Sequence, residues 1–336
     1  MKKLLTLLLL FLLATAVIPV LHAGSFDEDR KTAGQGDAAS QFRLGQRYEA
    51  GKGGASRNLD KAAEWYRKAA LQGHKKAQTN LGNLYRAGKG VDKDYGEAMR
   101  WYRKAAGQGD TRSMLNIASM YAMGQGVDKD AAEGLKWLQD AAAAGDTQAM
   151  VQLGTMYKTG KGVEKNYEMS TEWFRLAAAK GNTVAQHNLG LSYFTGKGTR
   201  KNYAESVKWH RKSAEKGYPP AEYSMGLRYA RGDGIKQGYS EAAKWYRKAA
   251  KHGHVSAQNN LGVMYRKGQG VDRDHGEALK WFRKAAERGH AQAQYNLGNM
   301  YLKGMGVTQD RAEARSWFTK AADQGHKGAS RALASM

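Results

Sequence analysis

The sequence predicts an all-α solenoid of eight 36-residue helix-turn-helix repeats, and three observations carry that prediction. All eight tryptophans, Trp65, Trp101, Trp137, Trp173, Trp209, Trp245, Trp281 and Trp317, are spaced by 36 residues. Twenty residues before the tryptophan of a typical repeat stands a Leu-Gly pair, as in Leu81-Gly82, Leu189-Gly190 and Leu297-Gly298, with a tyrosine four residues later. A Gly-x-Gly loop and a helix-start signal separate the two. A fixed period of this length means supersecondary units that bury their apolar faces against their neighbours.

The chain opens with Met1-Lys2-Lys3, an apolar run from Leu4 to Val20, and Leu21-His22-Ala23-Gly24. Charge, greasy core and small residues in that order are a secretory signal, with cleavage expected after Ala23. Residues 1–23 are therefore read as a leader, and the mature chain as periplasmic or secreted, with no integral membrane association after cleavage. Residues 24–36 read as a capping half-repeat, because Arg30 to Asp37 mirror Arg103 to Asp110, with Glu28 in the place of a tryptophan. The eight repeats fill 37–327, and 328–336 form a truncated capping helix in which Ala329 and Leu333 continue the helix A columns.

Within each repeat, Ala77, Leu81 and Tyr85 and their equivalents fall at intervals of four and share one face of a first helix, helix A. Leu44-Gly45 with Tyr48 fits the first repeat after one extra residue in its Gly53-Gly54 loop. Glycine pairs such as Gly88-x-Gly90 and Gly268-x-Gly270 end helix A where positive φ is needed. Asp94-x-x-Glu97, Asp130-x-x-Glu133, Asn202-x-x-Glu205, Asp274-x-x-Glu277 and Asp310-x-x-Glu313 resemble capping boxes that start a second helix, helix B. Helix B carries small residues beside the tryptophan, as in Ala98, Trp101 and Ala105, which makes the tryptophan the expected stacking anchor.

An Ala, then Leu-Gly, Tyr, Gly-x-Gly, Asp-x-x-Glu, Trp and a closing Ala-Ala before Gly closely resemble the Sel-one-like repeat family, which is tetratricopeptide-like. The resemblance implies a right-handed superhelix whose helices A line a concave surface that binds protein partners. It also implies an exported adaptor, as bacterial members of the family often are.

Zero cysteines exclude disulfides, thiolate zinc sites and a cysteine nucleophile, and separate this chain from the cysteine-rich family members associated with β-lactams. A divergent β-lactam-binding hydrolase would have to use Ser213-Ala-Glu-Lys216, a lone Ser-x-x-Lys without its Ser-Asp-Asn or Lys-Thr-Gly companions. His74, His254, His290 and His326 share the column that other repeats fill with Asp110, Asp146 and Asn182, which reads as a helix N-cap rather than a metal site. No catalytic residue, cofactor or metal is expected.

The chain carries 54 Lys and Arg against 31 Asp and Glu, a formal charge of +23 that favours anionic partners. Pairs such as Arg103-Lys104 and Arg283-Lys284 lie past the tryptophan and read as a solvated outer face. The alternative role for them is a basic convex stripe for a polyanion, an anionic glycan or nucleic acid. The leading expectation is a protein partner, with an acidic or extended segment, held on helix A. The amide column Asn80, Asn116, Gln152, Asn188, Asn260 and Asn296 offers donors and acceptors to an extended backbone. Lys76, Thr79, Asn83 and Arg86 fall on the side opposite the core, which that column borders, and the cations Lys76, Arg86, Arg112, Lys158 and Arg266 favour acidic segments. The leader generates one direct test: expression with the native N-terminus is expected to give a product beginning at Gly24 in the periplasm or medium. N-terminal sequencing that finds Met1 retained in the membrane fraction would show an anchor instead.

Overall fold

The computed structural model describes residues 25–336; the leader expected at 1–23 lies outside the described residues. The chain divides into two compact units, one ending at Asp130 and the other spanning Ala131–Met336. The described part of the first holds α1 (Phe26–Gly34), α2 (Ala38–Ala50), α3 (Leu59–Leu71), α4 (Lys75–Ala87), α5 (Tyr95–Ala106) and α6 (Thr111–Met123). The second holds α7 (Ala131–Ala143), α8 (Thr147–Thr159), α9 (Tyr167–Ala179), α10 (Thr183–Thr195), α11 (Tyr203–Glu215) and α12 (Pro219–Arg231), followed by α13 (Tyr239–Lys251), α14 (Val255–Lys267), α15 (His275–Glu287), α16 (Ala291–Lys303), α17 (Arg311–Asp323) and α18 (Lys327–Ala334). Even-numbered helices are helix A, odd-numbered ones from α3 onward helix B, and no strand occurs among the described residues.

The start of helix B differs from a full capping box. Asp94 does accept from the Glu97 amide at 2.9 Å, but its own amide donates to the Tyr85 carbonyl at 3.0 Å rather than to Glu97. The last carbonyls of helix A lack intrahelical partners, so the Tyr85 oxygen takes that donor and ties B to A. Glu97 is thereby left to accept from the Trp101 indole at 3.1 Å; Glu277 with Trp281 and Glu313 with Trp317 do the same. The histidine column caps helix A as expected, each Nδ1 accepting an amide, from Ala77 for His74 and from Ala257 for His254.

The tryptophans are not the deepest rings. Trp101, Trp245 and Trp281 are buried, whereas Trp65, Trp137, Trp173, Trp209 and Trp317 are only half-buried. The most buried ring is the next residue: Tyr66, Tyr102, Phe174, His210, Tyr246, Phe282 and Phe318 are all 3% exposed or less. Each packs against the glycine of its own Leu-Gly pair, or of Met225-Gly226 for Tyr246. A Cβ built on Gly82 would stand 2.7 Å from the Tyr102 ring, and one on Gly262 2.8 Å from Phe282, closer than such atoms ever approach. The Leu-Gly glycine is there so that the ring of helix B can reach the backbone of helix A.

Successive repeats lock through the second loop glycine. Gly90, at φ 68, stands directly against the Leu59 carbonyl at the start of the preceding helix B, where any side chain would collide. Buried glutamines add to this: Gln78 donates to the Ala70 carbonyl at 3.1 Å and accepts from Gln108 at 2.8 Å. At the N-terminal end α1 puts Asp29 in the ring column. Its carboxylate is fully buried and takes Arg43 at 2.7 Å and Arg47 at 2.9 Å, a charged plug that no sequence column announces.

His210 is the odd member of the ring column. It is fully buried, its Nδ1 is 3.3 Å from Ser206 Oγ, and its ring lies 5.2 Å from that of His187. Burial, with His187 and Arg228 nearby, pushes His210 down to about 3; burial, with Lys158, pushes His187 down to about 4. Both are neutral in the folded chain and titrate near 6.5 when unfolded, so the unfolded state takes up more protons as pH falls below that value. Folding stability is therefore intact above pH 6.5 and declines from there toward pH 4. Replacing His210 with Phe, the residue that Phe174, Phe282 and Phe318 place at this position, is expected to raise the urea midpoint and to remove about 1.4 kcal/mol per pH unit of that decline. An unchanged pH slope in His210→Phe would contradict this assignment.

Candidate partner-binding surface

Helix A has three packing directions: its own helix B, the preceding helix B and the helices A on either side. This explains where the expected site residues fall. Thr79, expected on the solvent side beside Lys76 and Asn83, is buried and shares a hydrogen bond of 2.9 Å with Ser113 on the next helix A. Asn296 is likewise only 4% exposed and donates to Asn259 Oδ1 at 2.9 Å. A helical wheel drawn against helix B alone misses this second contact, because A packs on A edge to edge.

The other amides stay at the surface but are partly engaged. Asn83 is exposed, and its oxygen accepts from the Tyr102 hydroxyl at 2.7 Å and from Asn116 at 3.2 Å. Asn80 and Asn260, both half-buried, reach the hydroxyls of Tyr66 and Tyr246. Burial pushes the Tyr102 and Tyr246 phenols up to about 12, so each is a firm donor. Gln152 is exposed, and Asn188 accepts from Lys158 Nζ at 3.1 Å while donating to the Val184 carbonyl at 2.9 Å.

Among the cations, Lys76, Arg112 and Lys158 are exposed. Arg86 instead lies along its neighbour, donating to Gln125 at 3.0 Å and Ser119 at 2.9 Å, and Arg266 sits 5.8 Å over the Phe282 ring. The structure thus brings Lys158 and Asn188 together in one groove, with a volume of about 290 Å³, between α8, α9 and α10. Lys197 and Tyr167, which the sequence reading did not single out, complete it. Lys165 and Lys197 hold the Tyr167 phenol below its usual range. The missed signal was the column one residue past the helix A tyrosine, which changes character from Arg86 through Lys158, Phe194 and Ala230 to Arg266.

The basic pairs on helix B are not simply solvated. Arg103, Arg211, Arg247 and Arg283 donate to the hydroxyls of Tyr121, Tyr229, Tyr265 and Tyr301 at 2.7 to 3.0 Å. The lysine of each pair lies over the tryptophan before it, as with Lys104 at 4.6 Å from Trp101 and Lys248 at 4.3 Å from Trp245. The tyrosine column is correspondingly half-buried rather than core, since its hydroxyl must reach these guanidiniums. Ser213 is fully buried and its hydroxyl donates to the Thr183 carbonyl at 2.8 Å, while Lys216 turns to the Gly181 carbonyl at 2.8 Å.

Helix pairs repeated in register, with part of helix A left open by its neighbours, define a helical-repeat scaffold. Residues 38–74, 75–110, 111–146, 147–182, 183–218, 219–254, 255–290 and 291–326 each match the Sel1 repeat, and the chain belongs to that family. Its structure is similar to that of c5321, a protective antigen present in uropathogenic Escherichia coli strains, with a TM-score of 0.82 and 36% identity, covering 92% of this chain and 66% of that one. The chain thus spans just under two thirds of that protein's length. A Sel1 repeat protein from Oxalobacter formigenes is similar at a TM-score of 0.72 and 34% identity, covering 93% of this chain and 90% of that one. No curated protein sequence matches the chain. Sel1 repeat proteins generally mediate protein–protein interaction and are typically non-catalytic scaffolds. Among the described residues, no helix is long and apolar enough to cross a membrane.

Proposed function

We propose that this chain is an exported interaction scaffold that holds an acidic, extended segment of a protein partner on its helix A surface. One observation carries the reading: the nine helices A contain fourteen Lys and Arg but only two carboxylates, Glu49 and Glu222. Neither is offered to a ligand. Glu49 accepts from the Tyr66 hydroxyl at 2.6 Å, and Glu222 is 1% exposed and bound to His252 at 2.8 Å. The other acidic side chains of the repeats lie on helices B and in loops, where several helix B glutamates pair with a Lys or Arg three or four residues on and loop acids such as Asp94 and Asp274 accept backbone amides. A surface that segregates its charge in this way attracts anionic groups and repels cationic ones.

A polyanion bound through the helix B face fits less well, because its arginines are anchored on tyrosine hydroxyls and its lysines on tryptophan rings. The similarity to c5321, a protective antigen, supports the export part of the reading, as does the leader-like order of residues 1–23. The test is partner capture from envelope extracts at physiological salt, by wild type and by an Asn188→Ala, Asn260→Ala, Arg266→Ala triple variant whose folding is checked by circular dichroism. Loss of about tenfold or more in the affinity for the captured partner is expected, since a few central contacts carry most binding energy. Unchanged affinity in the folded variant would overturn the helix A surface.

A further inference from the structure

The groove at Lys158 recurs. Seventy-two residues on, at the same register positions, Ala230, Tyr239, Tyr246, Asn260, Val263 and Gln269 line a second groove with a volume of about 150 Å³. The intervening position is closed by the chain itself. There Arg228, 4% exposed, lays its guanidinium 3.5 Å from the centre of the Phe194 ring and pairs with Asp233 at 3.4 Å. One repeat beyond the second groove Arg266 lies over Phe282, the ring at the position of Phe174 and Tyr246, and in the first unit Arg86 occupies the same register as Arg266. The residue after the helix A tyrosine therefore acts as a stopper: an arginine or the Phe194-Arg228 stack fills the groove, whereas Lys158 and Ala230 leave it open.

The two open grooves differ in chemistry. At the first, Lys158 donates to Asn188 at 3.1 Å and the Lys197 ammonium lies 5.3 Å over the Tyr167 ring, with Leu191, Phe174, Ser192 and Thr195 completing a lining that holds no carboxylate. That set suits a carboxylate on a short apolar stem. At the second, the Ala230 methyl, Val263 and Met264 enclose space for about five water volumes, against the four carbons of a leucine side chain. Side chains of adjacent helices A meet, as Lys158 with Asn188 and Arg228 with Phe194, and at a helix-packing distance of about 8–10 Å per repeat the two grooves lie roughly 16–20 Å apart. An extended chain covers that span in about five or six residues at about 3.3 Å each.

We propose that α8 to α14 form a two-pocket ruler for an extended segment, seating an acidic side chain between Lys158 and Lys197 and an aliphatic side chain against Ala230, about five or six residues apart. The ruler rests on the partner-binding reading and sharpens it to a spacing. Its test uses a set of end-blocked synthetic peptides, each with one Glu and one Leu in a Ser-Gly background at separations from two to nine, with binding read by fluorescence polarisation. Binding is expected to peak at a separation of five or six, about tenfold above a separation of two. Lys158→Arg keeps the charge but installs the stopper seen at Arg266, and Ala230→Arg does the same at the second groove; each is expected to weaken the best peptide about tenfold. Ala230→Leu, the residue type of Leu302 at this position, serves if Ala230→Arg lowers the thermal midpoint. No binding above a Glu-free, Leu-free control, a flat separation profile, or wild-type affinity in the stoppered variants would each overturn the ruler. If the stoppered variants also capture partner normally while the triple variant above does not, the helix A reading stands and only the ruler falls.

Discussion

The contact on which the repeat depends is an aromatic ring lying on a bare helix backbone. In seven of the eight repeats the residue after the tryptophan reaches the glycine of the Leu-Gly pair, at a separation that no Cβ could tolerate. This approach sets the distance between helix A and helix B, and with it the place where the tyrosine carbonyl meets the next N-cap. Without the glycine, the helices would have to move apart and the inter-repeat fit at the second loop glycine would be lost with them. The remaining repeat departs at both positions together: Ala118 stands at the glycine position and Leu138 at the ring position. A smaller side chain opposite a larger backbone position is what a volume-limited contact requires.

Much of this order was legible from residues alone. The 36-residue period, the glycine-ended helix A, the N-cap acids and the histidine caps follow from local chemistry, in which a residue acts on groups three or four positions away. The deepest ring was not legible, because Trp173 and Phe174 are neighbouring rings and only the position of helix A decides that Phe174 is buried while Trp173 is half-buried. The fate of Thr79 and Asn296 was hidden for a related reason. Their partners Ser113 and Asn259 come from neighbouring repeats, 34 and 37 residues away. Sequence periodicity says that repeats stack; it does not say which edge of helix A touches the next.

Charge placement connects the fold to binding. Helix B keeps its acids close to its bases along one exposed face and commits its Arg-Lys pairs to tyrosine and tryptophan rings. Helix A carries almost no carboxylates, and the two it has are satisfied internally. The result in each unit is an excess of positive charge on helix A, from Lys76 and Arg112 in the first and Lys158 in the second, exposed and without a carboxylate on their own helix to neutralise them. Openings on the helix A face follow mainly the position after the helix A tyrosine, where Arg86 and Arg266 fill the groove and Lys158 and Ala230 leave it open, with Arg228 closing the groove at Phe194. Variation in one position per repeat can therefore alter what the surface holds without disturbing the contact that builds the repeat.

The ring and the glycine act as one coupled unit, and a double-mutant cycle at Gly262 and Phe282 measures that coupling directly. Gly262→Ala alone is expected to cost about 1–3 kcal/mol in urea denaturation, as overpacking does in a filled core. Phe282→Leu alone is expected to be destabilising as well, through the cavity it leaves. Together they recreate the Ala118 and Leu138 combination, and the double variant is expected to be more stable than the sum of the two losses by about 1 kcal/mol or more. Losses that simply add, to within about 0.5 kcal/mol, would contradict the claim that this contact sets the repeat.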